Sequence, residues 1–545
     1  MPTLVLGPIL RYVGETEAVV WVETDAQCDV EVLGSRARTF HVEGHHYAIV
    51  HVRELEPGTW HEYEVHLDGD RAWPLPGSHY PPSAFQTYPK ARPLTICFGS
   101  CRVSAPHEPP YTLRVDEHPS AREIDALHAL SVRMLRQERE EWPDLLLLLG
   151  DQVYADENLS PGTKAFIESR RDVSEPPGPI VVDFEEYTRL YHESWSEPGL
   201  RWLLSTVSTA TIFDDHDVHD DWNTSAAWVE EMRGEDWWQE HIIGALTSYW
   251  VYQHLGNLTP SEHESEELLR EVLEADDAGP VLRDFARRFE RDPDIYRWSF
   301  CRELGDTRLV VIDSRAGRVL DEGRRSMVDA QEWDWIVEHA TGGFDHLLIG
   351  STLPLLLAPG MHHLEAWNEA LCGGAWGKGA ARLSERLRQG LDLEHWAAFD
   401  ESFRRVAELI RSVGAGERGG APASIVALGG DVHHAYLFEV SFPRGSDVDS
   451  GVWQAVCSPV RHPLGSKERL AIRAALSRPF AALTRALARA AGVEDPPLRW
   501  RPVGEAPVFD NVVASLTIDG RRLDFRLEKA LPPARLEPVI ETRLA

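Results

Sequence analysis

The sequence predicts an α/β layered fold preceded by a small all-β domain. Two observations carry this. From Leu94 onward, short and solidly apolar runs recur between helical segments, as in strands of a sheet covered on both faces. Before Leu94 the runs are β-branched and aromatic and are joined by turn residues, as in a sandwich. The chain has 545 residues, 43% apolar and 26% charged. That is ordinary globular composition, with material for roughly two to four domains.

Residues 1–88 read as a β-sandwich of immunoglobulin or fibronectin III type. Ala18–Glu23 and Tyr47–Val52 are strands, and Pro57-Gly58 makes a turn before a strand carrying Trp60, Tyr63 and Val65. Pro74–Pro93, rich in Pro, Ser and Tyr, reads as a linker. The second domain spans 93–460. Its strands are Leu94–Gly99, Asp144–Asp151, Thr209–Asp215, Leu309–Asp313, His346–Gly350 and Ile425–Asp431. A helix is expected over 121–141, with Leu127, Leu130, Met134 and Leu135 on one face. A helical insertion at about 226–291, rich in Trp, Glu and Arg, either shapes a cleft or packs as a surface addition. The 19 Trp residues likewise suit either core packing or cleft lining. Residues 461–545 supply a basic helical piece at 465–491 and a closing hairpin at 511–528 around Asp519-Gly520.

The net charge of −33 argues against a nucleic-acid backbone as the main partner. Six cysteines stand at 28, 97, 101, 301, 372 and 457. They form no CxxC pair, which suggests free thiols in a reducing compartment rather than a disulfide framework. The N-terminus has no basic region followed by an apolar stretch, and no run of about 18 apolar residues occurs, so a cytoplasmic protein without membrane contact is expected. Walker A, dinucleotide and GxSxG patterns are missing. Gly350-Ser351-Thr352-Leu353-Pro354 follows a strand but offers no oxyanion glycine run.

In α/β sheets, ligands bind beyond the carboxyl ends of the strands. Here those ends carry Gly99-Ser100-Cys101-Arg102, Gly150-Asp151-Gln152-Val153-Tyr154, Asp214-Asp215-His216-Asp217 and Gly429-Gly430-Asp431-Val432-His433-His434. Each alone has an ordinary reading: an Asp after a strand can cap the next element, and Asp-Val-His-His suits a surface loop. Four ionisable groups in a row, however, repel unless cations neutralise them. Taken together, oxygen and imidazole donors converge on one sheet edge, as two adjacent divalent or trivalent cations require. Such cations also let an acidic chain attract an anionic substrate. A metal pair would acidify water and clamp a phosphoryl group, with His216 as general acid or donor to the developing charge. Arg315, in Ile312-Asp313-Ser314-Arg315, and Arg102 either bind phosphate bidentately or pair with carboxylates. His462 and Trp222 are candidates for the cleft wall, and His434 either supports a ligand or lies on the surface.

In this order, the strand-GDxxY, strand-DDHD and strand-GGDVHH motifs resemble the alkaline phosphatase D-type (PhoD-like) branch of the calcineurin-like metallophosphoesterases. Ser100-Cys101 is similar to the same branch, which carries Cys where other metallophosphoesterases use Asp-x-His. The resemblance covers about residues 1–440, and the N-terminal sandwich is similar to that family's first domain. It implies a four-layer αββα catalytic sandwich. It also implies hydrolysis of small phosphomonoesters or phosphodiesters at a di- or trinuclear site. Cys101 and Tyr154 would hold Fe(III), Asp151 would bridge it to Ca(II), and Asp431 and His433 would complete the metal shells. Asp215 matches a further metal position, and His216 would contact phosphate or protonate the leaving group. The family's Asn-Asn-Trp stands here as Asp220-Asp221-Trp222. That departure adds Asp220 and Asp221 to the candidate ligands and leaves Mn or Zn open beside iron and calcium. The alternative is a non-catalytic metallophosphatase-like scaffold whose sandwich makes a protein contact; the intact donor set favours the enzyme.

Overall fold

Alternation within the apolar runs dictates how the sheets stack. In the computed structural model, which describes residues 1–88 and 92–545, strands between residues 94 and 543 form two sheets. The first runs Ser208–Ile212, Leu145–Leu149, Leu94–Gly99, Val512–Asp519, Arg522–Leu531, Arg535–Arg543. Its first three strands are mutually parallel and the rest antiparallel. The second runs Phe300–Leu304, Thr307–Ile312, His346–Ser351, Ser424–Gly429, Gly451–Val456, Ala435–Ser441, Arg499–Val508. It is parallel from Thr307–Ile312 to Gly451–Val456, with antiparallel edges.

Leu309, Val311, Leu348, Val426 and Leu428 of the second sheet share one core with Leu145–Leu149 of the first. The intervening Val310, Ile312, Leu347, Ile349, Ile425 and Ala427 join a different core with Trp333, Ile336, Phe403 and Val406 of the helices Ala330–His339 and Asp400–Gly414. Both faces of each central strand are therefore covered, which is why the runs are solidly apolar. Leu127, Leu130 and Met134 of the helix Ala126–Met134 cover the first sheet. The layers are helix, sheet, sheet, helix, as expected from the resemblance.

The N-terminal sandwich explains a second such run. Ala18–Thr24 is buried at every position. Ala18, Val20 and Val22 face the sandwich interior with Val30, Val50 and Val65. Val19 and Trp21 face the opposite way, into the core of the larger domain. Trp21 packs 5.4 Å from Tyr252, whose hydroxyl lies 3.0 Å from that of Tyr47. The two domains thus share a hydrophobic seam rather than a bare tether.

Some elements differ from expectation. The run ending at Val65 is two strands, Trp60–Glu62 and Val65–Leu67, which join different sheets. Tyr63 lies between them, and its hydroxyl donates to Ser205 carbonyl at 2.6 Å, so the chain switches sheets there. Within the expected linker, Ala84–Gln86 forms a strand paired with Trp60–Glu62 because Phe85 completes the sandwich core; residues 89–91 of that segment lie outside the described residues. The helix expected over 121–141 starts only at Ala126, where Asp125 caps the N–H groups of Leu127 and His128. At the closing hairpin Asp519 faces Arg522, so Gly520-Arg521 forms the loop. A third strand, Arg535–Arg543, follows; its charges and Pro538 hide it in the sequence. In the helical insertion, packing describes Trp238 and Trp250, both buried. Among the described residues no helix is long and apolar enough to cross a membrane.

The insertion also buries imidazoles. His254 is 1% exposed and neither ring nitrogen has a partner, and burial, reinforced by the nearby Arg297, lowers it to about 3. Burial lowers His241 to about 4 and, outside the insertion in the helix Pro359–Cys372, His362 to about 3. The unfolded chain binds these protons near pH 6.5 and the folded chain does not. The contribution of each of these histidines to stability therefore falls as pH drops from about 6.5, by about 1.4 kcal/mol per pH unit. His254→Leu should remove one such share, so between about pH 6.5 and 5 its unfolding free energy, measured in urea, should fall less with acid than that of the unchanged chain.

Candidate metal centre

The parallel strands of both sheets end on the same side, and glycines let these ends touch. A Cβ on Gly430 would lie 2.5 Å from Ser100 Cβ and 2.7 Å from the Leu149 carbonyl, so only glycine permits this approach of the two sheets. The donors then follow at once. Cys101, Asp151, Asp431 and His433 all have positive φ, at 60°, 50°, 63° and 50°. Such non-glycine conformations are costly and gather at functional sites. Asp217 secures the turn at Asp151 and ties it to Asp214. Its carboxylate accepts the N–H groups of Asp151, Gln152, Val153 and Asp214 at 3.0, 3.2, 3.2 and 2.9 Å. That makes Asp217 a brace of the loops, its oxygens already engaged.

Two groups of donors result. Ligand atoms of Cys101, Asp151 and His433 lie within 4.8 Å of one another, and so do those of Asp151, Asp214 and Asp215. Asp151 belongs to both. The Tyr154 hydroxyl lies 3.4 Å from Asp151 Oδ2 and 3.4 Å from His462 Nδ1, which in turn is 3.1 Å from His433 Nε2. Sequence reasoning placed His462 only on a cleft wall; it stands among the donors.

The electrostatics ask for cations. Asp151 and Asp214 are fully buried, and Asp151 Oδ1 and Asp214 Oδ2 have no partner. Burial raises Asp151 well above the usual carboxylate range, opposed by His216 and reinforced by Asp214 and Asp215. Burial raises Asp214 likewise, against Arg315 and with Asp431 and Asp215. Burial and then Asp151 push the Cys101 thiol and the Tyr154 phenol far up. A bound cation would reverse each shift, because its charge would be the largest in the site and it would offer the orphaned oxygens a partner. Thiolate, phenolate, imidazole and carboxylate donors together suit transition-metal and hard cations. The residues present therefore fit a metal pair.

Asp431 stands beside these groups. Its carboxylate lies 3.2 Å from His395 Nε2 and 3.6 Å from Arg315. Burial opposes its charge, yet His395 and Arg315 hold it well below the usual carboxylate range. His395 is itself anchored by Glu365 at 2.8 Å. His216 Nδ1 lies 3.0 Å from Asp156 Oδ1, and its ring is 4.8 Å from that of Tyr154. Burial disfavours the imidazolium, but Asp156, Asp215 and Asp151 raise it well above its ordinary value.

The two arginines are corrections. Arg315 is 0% exposed and is paired with Asp214 and Glu394, with Asp215 at 3.3 Å. Arg102 donates to Asp125 at 2.9 Å and to Ser194 carbonyl at 2.9 Å. Both guanidiniums are engaged in buried ion pairs, and only Nη2 of Arg315 has no hydrogen-bond partner between the two. Asp220 and Asp221 fall outside both donor groups: Asp220 is exposed, 3.9 Å from His216 Nε2, and Asp221 sits with Asp392 and Glu394. Trp222 is 3% exposed and packs on Phe213, and His434 Nδ1 is bound to Val432 carbonyl, so both serve packing. Asp214, Asp156, Glu365, Glu394 and His395 were not singled out from sequence. Asp214 adjoins a chosen residue, whereas Asp392-Leu393-Glu394-His395 follows a helix, where a strand-end rule does not look.

Comparison with known proteins bears on this arrangement. A domain of unknown function (DUF7800) matches residues 1–85. No curated protein matches the chain. A solved structure described as PhoD shares its fold at TM-score 0.57 and 12% identity, over 99% of this chain and 88% of that one. A purple acid phosphatase from yellow lupin (Lupinus luteus) seeds aligns at TM-score 0.46 and 11% identity, over 98% of this chain and 73% of its own. The PhoD-like phosphatase model matches residues 127–500, the greater part of the sequence, and the chain belongs to that family.

Proposed function

We propose that the chain hydrolyses phosphate esters at a dinuclear metal centre bridged by Asp151. The observation that carries this reading is that Asp151 is common to both donor groups. Cys101, Tyr154, His433 and Asp151 would hold one cation, and Asp151, Asp214 and Asp215 the other, with Asp431 beside them. Thiolate and phenolate donors favour Fe(III), and the carboxylate group suits Ca(II), with Mn and Zn the other choices. When bound, the cations supply an acidified water and a positive seat for the phosphoryl oxygens.

The protein's own groups set the rest. Asp156 accepts a hydrogen bond from Nδ1–H of His216, which leaves Nε2–H to face the leaving oxygen. Glu157 and Asp220 stand 4.0 and 3.9 Å from that nitrogen, and Arg102 and Arg315 are consumed in buried ion pairs. These rim carboxylates repel a dianionic monoester more than a monoanionic diester, an effect that Arg122, bonded to Asn158 beside His462, offsets only in part. Chelated protein should therefore lose activity, regain it with added metal, and show a higher kcat/KM on bis-nitrophenyl phosphate than on nitrophenyl phosphate. Hydrolysis of neither ester with any added metal contradicts the proposal.

His216→Gln should lower kcat about 100-fold on an ester with a poor leaving group. The loss should be smaller on a nitrophenyl ester, which needs little protonation. Equal losses on both would assign His216 to phosphate binding instead.

A further inference from the structure

A second set of metal-type donors lies away from the proposed centre, at the seam between the N-terminal sandwich and the larger domain. Glu23 is next to last in the strand Ala18–Thr24, His45 begins the strand His45–Val52, and His192 lies in the helix Phe184–Trp195. One ligand atom from each lies within 4.8 Å of the others. His45 Nδ1 is 3.0 Å from Glu23 Oε1, and His192 Nε2 is 2.8 Å from Glu23 Oε2. We propose that Glu23, His45 and His192 form a divalent-cation site of zinc type that fastens the sandwich to the catalytic domain.

Five features support it. Two imidazoles and a carboxylate are a recurrent zinc ligand set, leaving a fourth position for water. The two rings meet at 61° with centroids 6.2 Å apart, so their nitrogens converge instead of stacking in parallel. The distal nitrogen of His45 is already fixed: Nε2 lies 2.8 Å from Glu185, the carboxylate–histidine arrangement that orients a metal-binding imidazole. The Tyr252 hydroxyl donates to Glu23 Oε2 at 3.0 Å, holding the carboxylate from behind. The Glu23 side chain is 0% exposed, whereas those of His45 and His192 are 18% and 25% exposed, so the donors form a pocket with an entry path.

The stoichiometry is simple. The cation takes the place of the protons that His45 and His192 direct at Glu23, and the Nε2–H of His45 stays on Glu185. Affinity should therefore fall as pH drops, because protons compete with the cation for the ligand atoms. Because the ligands come from both domains, binding should raise the temperature at which they separate or unfold.

The test is zinc content after equilibration with Zn2+ and removal of free metal. Glu23→Gln and His192→Gln should each hold one zinc fewer per chain than the unchanged protein and lose the zinc-dependent rise in Tm. Asp151→Asn should keep this zinc, which separates the site from the proposed catalytic centre. Equal zinc content in the unchanged, Glu23→Gln and His192→Gln chains overturns the site and leaves a proton-bridged ion cluster. Should neither substituted chain fold, cobalt(II) in the Asp151→Asn chain decides. Intense tetrahedral visible absorption, lost on adding Zn2+, supports the site, and its absence overturns it.

Discussion

Asp151→Asn is expected to abolish activity and metal binding at the catalytic centre together while the fold persists. An amide keeps the shape of the carboxylate but presents two N–H donors in place of one oxygen, so it cannot bridge two cations. Each cation stabilises transition-state charge by several kcal/mol. Losing more than about 4 kcal/mol lowers kcat/KM at least about 1,000-fold. The stability change has the opposite sign. Asp151 is buried against Asp214 and Asp215, whose charges disfavour its own. The metal-free variant should thus have a urea midpoint at or above that of metal-free unchanged protein. Full activity in the variant, or a lowered midpoint, would remove Asp151 from the role given to it.

Arg315→Leu is expected to give the largest loss of stability. The guanidinium is wholly buried and faces Asp214, Asp215, Glu394 and Asp431. Those carboxylates raise it well above its usual value against the cost of burial. Removing one partner of a buried ion network costs about 3–5 kcal/mol, because unpaired charges remain inside. That is a large share of the 5–15 kcal/mol typical of a domain. Arg315→Lys should recover little, since an ammonium cannot reach two carboxylates as a planar fork does. Urea unfolding of the metal-free proteins separates the two roles considered for this residue. A wild-type midpoint with a raised KM would restore Arg315 to phosphate binding.

Much of the larger domain was legible because its strands are covered on both faces. Leu145–Leu149 could hardly be anything else, and the next residues, Gly150-Asp151, mark the strand's end. The site was partly legible for the same reason: Cys101, Asp151, Asp215 and His433 follow strands directly, and the structure brings them together. Three features were hidden. The division of charge among Arg315, Glu394 and His395 depends on a loop after the helix Lys378–Gly390, which no local pattern ties to a strand end. Asp217 looks like its neighbours Asp214 and Asp215 in sequence, and only the backbone N–H groups around it show that it braces loops. Asp220 and Asp221 follow the motif closely, yet the turn after His219 carries them outside both donor groups. Adjacency in sequence marks the neighbourhood but not which of these carboxylates faces the other donors.

The bridging carboxylate is most directly tested by anomalous scattering from crystals of metal-loaded protein, collected at the absorption edges of iron, manganese and zinc and at a wavelength where calcium scatters. The expected result is one peak among Cys101, Tyr154, Asp151 and His433 and a second among Asp151, Asp214 and Asp215. A single peak, or two peaks of which one lies away from Asp151, would contradict a centre bridged by that residue.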